Sequence, residues 1–219
     1  MECPDHMTIN DADPYDWFCD DDCAVLCKLT NNKNRKVVSK YKDRLQKKQK
    51  EVQLRNSKFN KKEFVNGERF LYLGNYYSLK LVDNREILLD FKDGFLLSKK
   101  YLSYAKNIFI IWYKKRAYET ISQRVRFYAQ KRGFKYSKIN ITNARKRWGS
   151  CSHQGNLSFT WRLIMAPLPI IDFVVVHELV HLEAKNHSKA FWNKVGILDP
   201  EYEEHKNWLK NNGYLLRVK

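Results

Sequence analysis

The chain has 219 residues, 43% of them hydrophobic, which is enough for a sizeable core. It holds no run of 18 apolar residues, so a membrane span is not expected, and its acidic, non-apolar start is not that of a secretory signal. A cytoplasmic setting is therefore expected. Net charge is +17, and the five cysteines form an odd set.

The charge is split along the chain. Residues 1–27 hold eight acids and no lysine or arginine, so the rest carries 41 basic groups against 16 acidic ones. A field of that sign favours anionic partners, nucleotides and nucleic acid included. Residues 1–30 read as an acidic appendage. Cys3, Cys19, Cys23 and Cys27 all lie there, the last three at spacings of four, and with His6 they are candidates for a second zinc. Their spacing is not that of paired C-x-x-C knuckles.

The main unit is expected over residues 31–219. Residues 31–57 are basic, with Val37, Val38, Tyr41, Leu45 and Val52 as a sparse helical stripe. Over residues 58–135 a sheet precedes a long helix. Apolar runs at Phe70–Leu73, Tyr76–Leu81 and Ile87–Phe91, separated by Gly74-Asn75, Asp83-Asn84 and Asp93-Gly94, predict an antiparallel meander. A helix follows over 99–132, ended by Gly133.

Residues 136–219 carry the chemistry. Two strands, Ile139–Thr142 and Asn156–Met165, flank a tight loop, Arg145–Ser152. Leu157, Phe159 and Trp161 alternate with Ser158, Thr160 and Arg162, which predicts one buried and one polar face. The strand Asn156–Trp161 is the expected edge along which a peptide backbone could pair. Arg145, Lys146 and Arg147 before it, and Arg162 on it, are candidate substrate-binding cations. Pro167 and Pro169 then open a helix that is apolar nearly all round, the pattern of a buried central helix.

That helix contains His177-Glu178-Leu179-Val180-His181. Residues four apart share a helix face, so His177 and His181 can hold one metal ion while Glu178 takes a proton from a water beside it. His187 is the natural third ligand once the chain turns at Lys185-Asn186, where asparagine tolerates the left-handed conformation. Glu201, Glu203 and Glu204 are carboxylate alternatives, and His205 is a weaker one. Two short helices should follow, one capped by Ser188 and one opened by Asp199-Pro200-Glu201.

Arg147-Trp148-Gly149-Ser150-Cys151-Ser152, Gly155-Asn156-Leu157, Trp161-Arg162-Leu163, Asp172, Val175-Val176-His177-Glu178-Leu179, His181-Leu182, Asn186-His187-Ser188 and Phe191-Trp192 occur in this order. Together with Asn66-Gly67-Glu68 and Tyr72-Leu73-Gly74 they resemble the YgjP-like metallopeptidase domain, related to the WLM and SprT zincin-like groups. The resemblance covers about residues 58–219. It implies an α+β, zincin-like fold, a small antiparallel sheet packed on helices around a central H-E-x-x-H helix. It also implies one catalytic zinc held by His177, His181 and His187, with Glu178 as base. Peptide hydrolysis is the activity it implies first. A nucleoside triphosphate pyrophosphatase activity on UTP, assigned to some members, is the second, and a non-catalytic zinc-stabilised binding module is the third reading. The acidic, cysteine-containing first 30 residues depart from the family, whose members usually begin with extra strands.

Overall fold

The computed structural model describes residues 62–83 and 86–216. The acidic appendage, its four cysteines and the basic stripe of residues 31–57 lie outside the described residues. Strands β1 (Arg69–Tyr72), β2 (Asn75–Val82), β3 (Leu89–Phe91) and β4 (Phe95–Ser98) come first. A six-residue 3₁₀ segment (Lys99–Tyr104), kinked at Tyr101, leads into α1 (Ala105–Arg132), which stops where Gly133 takes the left-handed conformation. Then come β5 (Lys138–Thr142), β6 (Gly149–Cys151), β7 (Asn156–Thr160), a 3₁₀ segment (Trp161–Met165), α2 (Leu168–Val180), α3 (Lys189–Leu198) and α4 (Tyr202–Asn212). The fold is α+β with two small mixed sheets.

Neither sheet is purely antiparallel, which corrects the meander read from the sequence. In the first sheet the order is β1-β2-β4-β3, and β2 pairs β4 in parallel. The cause is burial. Phe95 and Leu97 on β4 are wholly inaccessible, whereas all three residues of β3 are half-buried, so β4 takes the inner position and the short β3 the edge. Phe70 and Phe95 meet Phe109 of α1 at ring separations of 4.3 and 5.0 Å, and the buried Tyr113 hydroxyl donates to the Leu71 carbonyl at 2.8 Å. The sheet is thereby fixed to the long helix.

In the second sheet β7 lies between β5, parallel to it, and β6, antiparallel to it. The sequence reading placed β6 within a loop and ran β7 on to Met165. The chain instead turns into 3₁₀ geometry at Trp161, and all five residues of that segment are buried, Arg162 among them. α1 packs on this segment and on α2. Arg124 of α1 grips Asp172 of α2 with two hydrogen bonds of 2.5 and 2.7 Å, a bidentate pair that fixes the two helices in register. Around α2 stand α1, α3, α4 and β6, so its apolar residues are buried from Ile170 onward, and only its start at Leu168 and Pro169 is exposed. No helix among the described residues is long and apolar enough to cross a membrane.

Candidate metal centre

The site forms where α2 ends. His177 sits in its last turn and His181 is its C-cap, so the two rings stand one above the other. The chain then turns through residues 181–183 and continues irregularly to His187. This turn begins at His181, earlier than Lys185-Asn186, and it uses no left-handed asparagine. Phe64 and Leu73 are the described non-glycine residues with positive φ.

The three imidazoles converge. His177 Nε2 lies 3.1 Å from His181 Nε2 and 2.9 Å from His187 Nε2, and the three candidate ligand atoms all lie within 4.8 Å of one another. Nitrogens bound tetrahedrally to zinc stand roughly 3.3 Å apart, given bonds of about 2.0–2.1 Å. The donor set thus fits one divalent cation. His181 adds a tautomer argument. Its Nδ1 donates to the Ala184 carbonyl at 3.0 Å, which leaves Nε2 with its lone pair toward the cluster. Burial, reinforced by the charges of His181, His187 and Lys206, holds the His177 imidazole well below the usual histidine range, in the neutral form that ligates.

Aromatic rings hold the loop histidine. Phe191 touches all three imidazoles, with centroids at 4.9, 4.7 and 4.7 Å. Trp192 stacks on His187 at 5.8 Å, and Tyr202 in turn stacks on Trp192 at 5.3 Å.

Glu178 is 2% exposed and faces β6. There Gly149 makes the closest approach. A Cβ at that position would stand 2.7 Å from Glu178 Cγ and 2.8 Å from Cδ, so only glycine lets the strand lie against the carboxylate. A cavity of about 340 Å³ opens above, lined by Arg147, Gly149–Cys151, His153, Lys185, Glu178 and the three histidines.

Of the predicted cations, Arg147 reaches this cavity. Arg145 and Lys146 are exposed on the approach to β6 and do not line it. Arg162 is placed elsewhere, contrary to its reading as a substrate-binding residue. It is 6% exposed, lies 4.5 Å over the Trp161 ring, and donates from Nη1 to Asn143 Oδ1 at 3.1 Å and to the Asn143 and Ala144 carbonyls at 3.3 Å. The chain's change to 3₁₀ geometry turns it inward. The alternative third ligands are also engaged away from the cavity. His205 donates to Asp199 at 2.9 Å with Glu201 at 3.8 Å, Glu203 accepts from the Tyr202 hydroxyl, and Glu204 lies in the first turn of α4.

The expected peptide-pairing edge moves too. β7 is paired on both sides, so among the described residues the edge left open beside the histidine cluster is that of β6. Trp148 accepts from Thr160 N–H, and Ser152 N–H donates to Asn156. By the antiparallel alternation, the N–H and C=O groups of Gly149 and Cys151 then point away from β7. Sequence reasoning missed Gly149, Cys151, His153 and Lys185 as site residues. Gly149 and Cys151 lie within the Arg147–Ser152 element that carries the family resemblance, which was the available signal; His153 and Lys185 carry none.

An α+β domain with three histidines converging beside a buried glutamate is the frame of a metallohydrolase. The family model of the YgjP-like metallopeptidase domain matches residues 25–212, and the chain belongs to that family. A UTP pyrophosphatase of Escherichia coli (strain K12) is 44% identical over 39 residues, a match that spans 18% of this chain and 23% of that protein's length. Among solved structures, the metallopeptidase zymogen of Pyrococcus abyssi abylysin is similar at 19% identity and a TM-score of 0.39, covering 44% of this chain and 96% of that one.

Proposed function

We propose that the chain is a zinc-dependent, zincin-type peptidase. His177, His181 and His187 hold the metal and Glu178 is the general base. Zinc, when bound, supplies the Lewis acidity that lowers the pKa of a coordinated water and polarises a carbonyl. Glu178, fixed between α2 and Gly149, accepts the proton from that water and passes it to the leaving amine. The observation that carries the peptide reading is the open edge of β6. Its outward N–H and C=O groups at Gly149 and Cys151 lie in the cavity wall beside Glu178 and match the spacing of an extended peptide.

A second reading is hydrolysis of a nucleoside triphosphate. It is favoured by the short match to a UTP pyrophosphatase and by two cations, Arg147 and Lys185, in the cavity. Parent and Glu178→Gln proteins assayed in parallel on an unstructured polypeptide and on a nucleoside triphosphate panel separate the two. The peptidase reading expects Glu178-dependent cleavage of the polypeptide, lowered by about 10²-fold or more in Glu178→Gln with zinc retained. Glu178-dependent release of pyrophosphate with the polypeptide intact overturns it.

A further inference from the structure

The charged side chains of the cavity wall have a pattern that metal binding does not use. Arg147 and Lys185 are both exposed, and among the described residues neither is paired with a carboxylate. Other cations of the domain are engaged: Arg124 on Asp172, Arg116 on Glu119, Lys194 on Glu183, and Arg162 on Asn143 and Trp161. Among the described residues Glu178 is the one carboxylate that lines the cavity, and it is buried. The wall therefore carries a positive charge before any metal adds its own.

The two cations flank the groove from different elements. Arg147 stands two residues ahead of Gly149, at the entry to β6. Lys185 belongs to the loop between His181 and His187 and lines the same cavity as Cys151, the last residue of the strand. Three residues, the bend at Trp148 and the first two of β6, separate Arg147 from Cys151, so their Cα atoms stand at most about 13 Å apart. A clamp for a triphosphate gathers its cations on one contiguous group of phosphates. Cations set apart along a strand edge fit instead side chains spaced along an extended peptide, which point to the same side at every second residue.

We propose that the groove selects peptides with acidic side chains on both sides of the scissile bond, Arg147 receiving one and Lys185 the other. This rests on the peptidase reading and names its substrate class. Both contacts lie at the solvent-exposed rim, so they steer and select rather than drive catalysis, and they weaken with salt.

The experiment uses the full zinc-loaded chain and a degenerate peptide library, with cleavage sites read by mass spectrometry for the parent, Arg147→Glu, Lys185→Glu and Glu178→Gln. The parent should cut sites enriched in Asp and Glu on both flanks. Each charge reversal should keep its zinc, abolish the acidic preference on one flank only, and create a preference for Lys and Arg there. For a single acidic peptide kcat/KM should fall by about tenfold, carried by KM, as expected when an exposed attraction of this size becomes a repulsion. A gain of basic-site cleavage cannot come from misfolding. Glu178-dependent cutting with no acidic enrichment, or with both reversals leaving the flanks unchanged, overturns this proposal and leaves the peptidase reading standing. An intact library beside Glu178-dependent nucleotide hydrolysis overturns both.

Discussion

Replacing Gly149 by alanine tests whether β6 and the general base form one unit. The added methyl would stand 2.7 Å from Glu178 Cγ and 2.8 Å from Cδ, where ordinary contact begins at 3.4 Å. The carboxylate or the strand must therefore give by about 0.6–0.7 Å, an overpacking that costs roughly 1–3 kcal/mol. The helix cannot supply the movement, because Val175 and Leu179 beside Glu178 are wholly buried. The glutamate side chain swings instead, or β6 lifts. A displacement of that size at a proton-transfer group is expected to lower hydrolysis by about 10²-fold. Zinc should remain at parent level, because the atoms nearest the added methyl all belong to Glu178 and none to a histidine. Elemental analysis and kcat/KM on a common substrate check both parts. In a Glu178→Gln background the same alanine should add little further loss, since the group it displaces no longer accepts a proton. Parent-like activity in Gly149→Ala refutes the coupling. Full additivity of the two substitutions does so as well.

Purified protein should carry about one tightly held zinc at this site, as a three-histidine set implies. His187→Ala should lose it, while Glu203→Ala and Glu204→Ala retain it by elemental analysis; the reverse pattern would restore the downstream-carboxylate reading. Arg124→Ala leaves the Asp172 carboxylate without its bidentate partner between two packed helices and should destabilise the fold by about 3 kcal/mol, read by urea denaturation. Trp192→Ala removes the ring stacked on His187 and should speed zinc loss to a chelator several-fold, with secondary structure by circular dichroism unchanged.

What the sequence disclosed follows from which signals are local. The spacing of His177 and His181 is a property of one helix, and so is the burial of the apolar run Ile170–Val176 around it. Both were legible, as was the end of α1 at Gly133. Strand order was not, because pairing is decided between segments far apart in the chain. Nothing within residues 64–97 states that β4 will displace β3 from the sheet interior; the greater burial of Phe95 and Leu97 decides it only once α1 is present to cover them. Arg162 misled for a related reason. Strict alternation from Leu157 put it on a polar face, and the change to 3₁₀ geometry at Trp161 broke the alternation just before it. Lys185 sits between two histidines of the cluster and gave no signal at all, since only the fold shows which way that loop turns.

These misses bear on how the site divides its tasks. On the proposed reading a helix buried from Ile170 onward, but for the half-buried Asp172, supplies two nitrogens and the base, so their mutual geometry is set by backbone hydrogen bonds and core packing. The third nitrogen arrives on irregular chain, and its position depends on Phe191 and on the Trp192–Tyr202 stack behind it. The substrate wall arrives from a different sheet and touches the helix through a glycine. Metal affinity, proton transfer and substrate register would thus be held by three separate contacts. A substitution that alters one while sparing the others is informative in a way that removal of a ligand is not. Loss of His177 would remove the metal and the activated water together, whereas Gly149, Trp192 and Arg147 each report on one task. If the metal were merely structural, displacing Glu178 through Gly149 would change stability alone. The peptidase reading requires instead that activity fall while metal and fold persist.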